Sequence, residues 1–146
     1  MCLIIDANCA SDTLSPKPHA EFAPIMQAII NKNAVMVLGG KKLREEYQKL
    51  PSVWRFVVML DKAGKALMCS DSAVDDMQKE LEDSGQLSSD DPHIIALAKV
   101  SGARLLCSKD QNLHKDFRSA KLVNSPRGSI YQNKNHKALL GKCCPG

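Results

Sequence analysis

A chain of 146 residues with 44% hydrophobic and 25% charged residues is long enough for one compact domain with a core of its own and too short for two. That balance is ordinary, so neither a disordered nor a fibrous chain is suggested, and no apolar run approaches the roughly 20 residues of a membrane span. The net charge of +4 hides an asymmetry, because residues 71–91 carry eight acids against one base while residues 111–146 carry seven bases against one acid.

Leu3-Ile4-Ile5 is a short apolar run ending in Asp6 and reads as a buried strand. After Pro16 and Pro18 a helix is predicted over about residues 19–31, with Phe22, Ile25, Met26 and Ile29 at helical spacing. Residues 34–38 form a second strand closed by Gly39-Gly40. A basic helix over about 41–50 is stopped by Pro51, and a further helix over about 52–63 carries Val53, Phe56, Val57 and Leu60. A third strand is predicted at 66–69, then an acidic helix over about 71–83 that ends at Gly85. Asp91-Pro92-His93 opens a strong helix, since proline suits the first helical position directly after a capping residue. Residues 104–107 give a fourth strand, and a short helix starts at about 111. Residues 121–123 read as a fifth, edge strand, and a last helix is expected around 134–140. Short apolar strands alternating with helices predict a parallel sheet covered on both faces. The core spans about residues 2–123, and a basic C-terminal tail covers about 124–146.

The six cysteines lack a Cys-x-x-Cys spacing and a matching histidine pair, which argues against zinc and against a disulfide framework. Cys2, Cys69 and Cys107 sit in apolar strand-like runs and are expected as small buried hydrophobes. Cys143 and Cys144 are expected as exposed thiols of the tail. The opening Met-Cys-Leu-Ile-Ile-Asp has no basic stretch and does not read as a signal peptide, which points to a cytoplasmic protein with no membrane partner.

In open α/β sheets functional groups gather beyond the carboxyl ends of the strands. Asp6 ends strand one, and strand four runs through Ser108 and Lys109 into Asp110. Asp91 opens the helix that returns antiparallel to strand four, so it reaches the same edge. Leu43, Glu46, Tyr47 and Leu50 share one helical stripe, which sets Glu46 inward and turns Glu45 about 100° away. Each acid alone has a plain explanation, as a turn former, a helix cap or a lysine partner. Together they crowd like charges on one edge with no obvious cation, which costs energy unless something neutralises them. Mg²⁺ or Mn²⁺, which prefer hard oxygen ligands, would do so. Lys41, Lys42 and Lys109 lie near this edge as candidate phosphate contacts, and the basic C-terminal end fits a nucleic-acid partner.

These segments resemble the PIN-domain family. Leu3-Ile4-Ile5-Asp6-Ala7-Asn8 is similar to its opening strand-Asp-x-Asn, and Leu43-Arg44-Glu45-Glu46-Tyr47 to its helical glutamate. Asp91-Pro92-His93-Ile94-Ile95-Ala96-Leu97-Ala98 is similar to its Asp-x-x-Ile-x-Ala-Leu-Ala helix. Residues 102–110 resemble its Gly-Ala, strand, Ser/Thr-x-Asp ending. The resemblance implies a three-layer α/β/α sandwich with a central, mostly parallel sheet. It also implies metal-dependent hydrolysis of RNA, less often DNA, with Asp6, Glu46, Asp91 and Asp110 as metal ligands. Asn8 and Ser108 become supporting or substrate-orienting groups. Glu45 and Asp90 stand as second candidates beside Glu46 and Asp91. Small single-domain members are often toxins with an antitoxin partner, and homodimers are typical. The rival reading is a catalytically silent PIN-like scaffold that binds RNA or a protein.

Overall fold

The computed structural model describes residues 2–141. Five strands alternate with helices in the order β1 (Cys2–Ile5), α1 (Ala7–Thr13), α2 (Ala23–Asn31), β2 (Val35–Leu38), α3 (Lys41–Gln48), α4 (Pro51–Lys62) and β3 (Ala66–Met68). α5 (Asp71–Ser84), α6 (Pro92–Ser101), β4 (Leu105–Cys107), α7 (Gln111–Arg118), β5 (Ser129–Tyr131) and a closing 3-10 helix (Lys134–Gly141) complete the chain. The strands form one sheet in the order β3-β2-β1-β4-β5, and every neighbouring pair is parallel. Helices cover both faces, which gives the expected three-layer α/β/α sandwich.

The strand sequences explain this burial. Leu3, Ile4 and Ile5 of β1 and Leu105, Leu106 and Cys107 of β4 are all inaccessible to solvent, as continuous apolar strands must be when helices pack on both sides. α6 buries six consecutive residues from His93 to Ala98, so it lies within the core rather than along its surface. β3, at the sheet edge, leaves Leu67 and Met68 exposed.

The chain runs outward from β1 to β2 and β3, then crosses back to place β4 on the other side of β1. β1 and β4 therefore flank the point where the winding direction reverses, and open α/β sheets bind ligands in the crevice beyond that point. Their register pairs Ile5 with Cys107, and the Asp6 N–H donates to the Cys107 carbonyl at 2.9 Å. Asp6 and Ser108 consequently leave the sheet side by side.

The structure corrects three expectations. The fifth strand is Ser129–Tyr131, not residues 121–123; Leu122 and Val123 are buried in a turn whose N–H groups bond to the Ser119 carbonyl. Burial without ladder pairing gives the same apolar signature as a strand. α1 is not among the elements expected from the sequence; its inner residues Cys9, Ala10 and Thr13 are buried, and packing rather than propensity holds so short a helix. Cys2 is half-buried and disulfide-bonded rather than a buried thiol, against the expectation of no disulfide. Cys69 is likewise only half-buried and lies just beyond β3, against the expectation of a buried strand residue, whereas Cys107 is buried as expected. Cys143, Cys144 and the last residues of the basic tail lie outside the described residues.

Candidate functional site

Asp6 stands at the N-cap position of α1 yet caps nothing with its side chain. It is 5% exposed, and its Oδ2 accepts the Ser108 hydroxyl at 2.8 Å. Burial raises its pKa above the usual carboxylate range, and the Glu46 charge adds to this, while the Ser108 bond opposes it. Asn8 donates weakly from Nδ2 to Ser108 Oγ at 3.4 Å and accepts the Lys109 N–H at its Oδ1. Asn8 and Ser108 thus form a bridge between the ends of β1 and β4, with Asp6 on it.

Asp91 also sits at an N-cap position, that of α6, without a side-chain cap bond. The capping explanation that the sequence allows therefore does not account for its carboxylate. Burial first, then the charge of Asp6, then a hydrogen bond and charge from Asp110 and the charge of Glu46 push its pKa up to about 6. Such a carboxyl–carboxyl bond exists only while one partner holds a proton. Asp110 does cap its helix, with Oδ1 accepting the N–H groups of Asn112 and Leu113 at 2.9 and 3.3 Å.

Glu46 and Glu45 separate as the helical phase predicts. Glu45 is 53% exposed and faces Lys41 at 3.9 Å, whereas Glu46 is 31% exposed and meets His93 at 2.9 Å. Burial holds the pKa of His93 down to about 4, assisted by the Lys42 charge. The imidazole is therefore neutral near pH 7, and its Nε2–H donates to Glu46 Oε1 as a hydrogen bond rather than an ion pair. His93 Nδ1 is buried with no partner among the described residues. Burial raises the pKa of Glu46, with Lys42 and Lys49 opposing.

The helix that carries Glu46 is fixed at two points. Tyr47, fully buried, donates its hydroxyl to the Ile5 carbonyl, directly before Asp6. At the helix start, Asp71 Oδ1 accepts the Gly40 N–H and Asp75 Oδ1 the Lys41 N–H, both at 3.0 Å. Gly40 has φ +88°, and a Cβ there would meet Val74 Cγ1 at 2.7 Å, so glycine is required for α3 to start against α5.

Asp6, Glu46 and Asp91 act on one another electrostatically, and Asp110 joins them through Asp91. The four expected acids thus converge at the switch point. Among the described residues no three His, Cys, Asp or Glu side chains stand as a ready-made ligand cage. The donor set, all carboxylate oxygen, nonetheless fits a hard divalent cation by its chemistry. Lys42 reaches the group, since its charge acts on both Glu46 and His93. It lies where two surface clefts meet: one of about 740 Å³ between α3 and α5 that borders Glu46 and Lys49, and one of about 360 Å³ beside Asp90 and Pro92. Lys41 lines the first cleft. Lys109 is differently engaged, paired with Asp12 at 2.8 Å and 6.0 Å from the Phe22 ring centre.

Sequence reasoning undervalued three residues. His93, two residues past Asp91, is 1% exposed and so belongs to the core rather than the helix surface. His114 is buried and holds the Ser108 carbonyl through Nε2 at 2.5 Å. Asp116 is buried and bonds to the loop before Asp91. The signal was available for Asp116: it lies three residues after Leu113 and one before Phe117, on the same inward stripe logic that selects Glu46.

No protein-family model, no curated protein and no solved structure matches this chain.

Proposed function

We propose that this chain is a divalent-metal-dependent nuclease that hydrolyses phosphodiester bonds in RNA, with Asp6, Glu46, Asp91 and Asp110 as its acidic centre. One observation carries the reading. Four carboxylates stand together at the sheet's switch point, and burial makes three of them hold their protons more tightly, with neighbouring acids adding to this at Asp6 and Asp91. Crowded acids of this kind are costly in an isolated domain and useful around a cation. A bound Mg²⁺ or Mn²⁺ supplies Lewis acidity and a water that ionises near neutral pH.

The chain's own residues have distinct tasks in this scheme. Ser108 fixes Asp6 through its Oδ2. Neutral His93 aims Glu46 by holding Oε1. Asp91 is ionised above about pH 6 and is then available as a ligand. Lys42, at the junction of the two clefts, faces an approaching phosphate, with Lys41 beside it. The likeness of the β1, α6 and β4 segments to PIN domains supports RNA as substrate. It supports a cytoplasmic toxin with an antitoxin protein partner as the setting, and a homodimer as its form.

The test is incubation with single-stranded RNA, structured RNA and DNA, with Mn²⁺ and with EDTA, beside Asp6→Asn. Cleavage of RNA that requires the metal and is lost in the variant is expected. Metal-independent cleavage, or equal cleavage by the variant, overturns the proposal; no cleavage by the wild type favours a silent scaffold.

A further inference from the structure

Asp116 is a carboxylate buried to 3% exposure, and a charge in that position is costly unless its oxygens are well satisfied. They are satisfied by backbone alone. The Ser88 N–H donates to Oδ1 and Oδ2 at 2.9 and 3.1 Å, and the Ser89 N–H donates to Oδ2 at 2.9 Å. These amides belong to the polar loop between α5 and α6, whose hydrophobic hold is the partly buried Leu87. Ser89 Oγ in turn accepts the Asp91 N–H at 3.4 Å. One residue, Asp90, separates the anchored amide from Asp91.

We infer that Asp116 is a positioning residue for Asp91: by clamping Ser88 and Ser89 to α7, it fixes the loop from which Asp91 opens α6, and with it the place of the Asp91 carboxyl. α7 then sets both acids, since Asp110 caps its first turn and Asp116 lies on its last. That arrangement ties the loop that carries Asp91 to the same helix that Asp110 opens. The consequence for catalysis rests on the proposed reading of Asp91 as a metal ligand; the consequence for geometry does not.

Three measurements on the full chain test this, using Asp116→Ala, Asp116→Asn and Arg104→Ala. Arg104 donates to the Asn124 and Ala98 carbonyls, so its loss weakens the fold without touching the loop. In Asp116→Ala, amide exchange at Ser88 and Ser89 should quicken at least about tenfold, as expected for lost protection. Its crystal structure should show the Asp91 carboxyl out of reach of Asp110. Its Mn²⁺ dissociation constant, read from the free-ion resonance signal, should rise by about tenfold or more, the usual range for groups that orient a ligand. Asp116→Asn keeps one carbonyl acceptor and should fall between, which serves should the alanine variant not fold. Arg104→Ala should leave all three readouts unchanged. An Asp91 that stays in place in the Asp116 variants overturns the inference, as does equal weakening of Mn²⁺ binding by Arg104→Ala. If the wild type binds no Mn²⁺, the proposed function falls, and the position of Asp91 still decides this inference.

Discussion

Two groups of acids stand at the carboxyl edge of the same sheet and are held in opposite ways. At the start of α5, Asp71 accepts the Gly40 N–H and pairs with Arg44, and Asp75 accepts the Lys41 N–H. Each charge there meets a donor, and together they cap α3, which has no side-chain cap of its own. At the switch point, Asp6 and Glu46 each meet one neutral donor, Ser108 and His93, and Asp91 makes no cap bond. Burial raises the proton affinity of all three, and neighbouring acids add to it at Asp6 and Asp91. The first group is architecture. The second stores repulsion that a bound cation would relieve, and proximity of acids alone does not distinguish the two; their partners do.

The largest effect should come from breaking the second group. Asp6→Asn should lower metal-dependent RNA cleavage by more than about a hundredfold, beyond the loss usual for groups that merely support a ligand. Its melting temperature should not fall, because the amide keeps an oxygen for Ser108. Acidification should act next. As pH drops below about 6, Asp91 takes up a proton, so cleavage and Mn²⁺ affinity should decline by up to about tenfold per unit, measured between pH 7.5 and 5.

Breaking the first group should cost stability instead. Asp71→Ala should lower the unfolding free energy in urea by about 1–2 kcal/mol through the lost cap and unpaired amide. Asp91→Asn should do the reverse, raising metal-free stability at pH 7.5 by about 1 kcal/mol after allowance for solvent screening. The sign follows from linkage. Asp91 binds its proton more tightly folded than unfolded, so its contribution is present below pH 3.8 and is lost as pH rises to about 6. His93, held down to about 4 from 6.5, contributes in the opposite sense: its stabilisation is present above pH 6.5 and is lost as pH falls toward 4. The smallest effect belongs to Glu45→Gln, within about 0.5 kcal/mol as for an ordinary surface change, whereas Glu46→Gln should impair cleavage. Kinetics of the pair check the assignment.

Much of this was legible in the sequence, and the parts that were not have physical causes. β1, β2, β4 and α6 announce themselves by unbroken apolar runs with clear stops, which is what burial on both faces demands. Asp6, Asp91 and Asp110 follow from strand ends and helix starts, and Glu46 from helical phase. β5 was misplaced because Leu122 and Val123 are buried in a turn, and burial is what the apolar signal reports. α1 was missed because tertiary packing overrides its polar composition. The roles of His93 and Asp116 depend on contacts made across 47 and 28 residues of chain, which local pattern does not carry. The pairing of Asp71 and Asp75 with α3 was hidden for the same reason, so the acidic run of α5 looked uniform when its first turn is already engaged.

The most direct measurement is the thermal shift of the wild type and of Asp91→Asn, each titrated with Mn²⁺ against EDTA at pH 7.5. A rise in melting temperature that grows with Mn²⁺ is expected for the wild type, because only the folded chain assembles the acids, and little or none for Asp91→Asn. A wild type that Mn²⁺ leaves unmoved at millimolar concentration, or a variant that shifts as far, would contradict the metal site proposed for these acids.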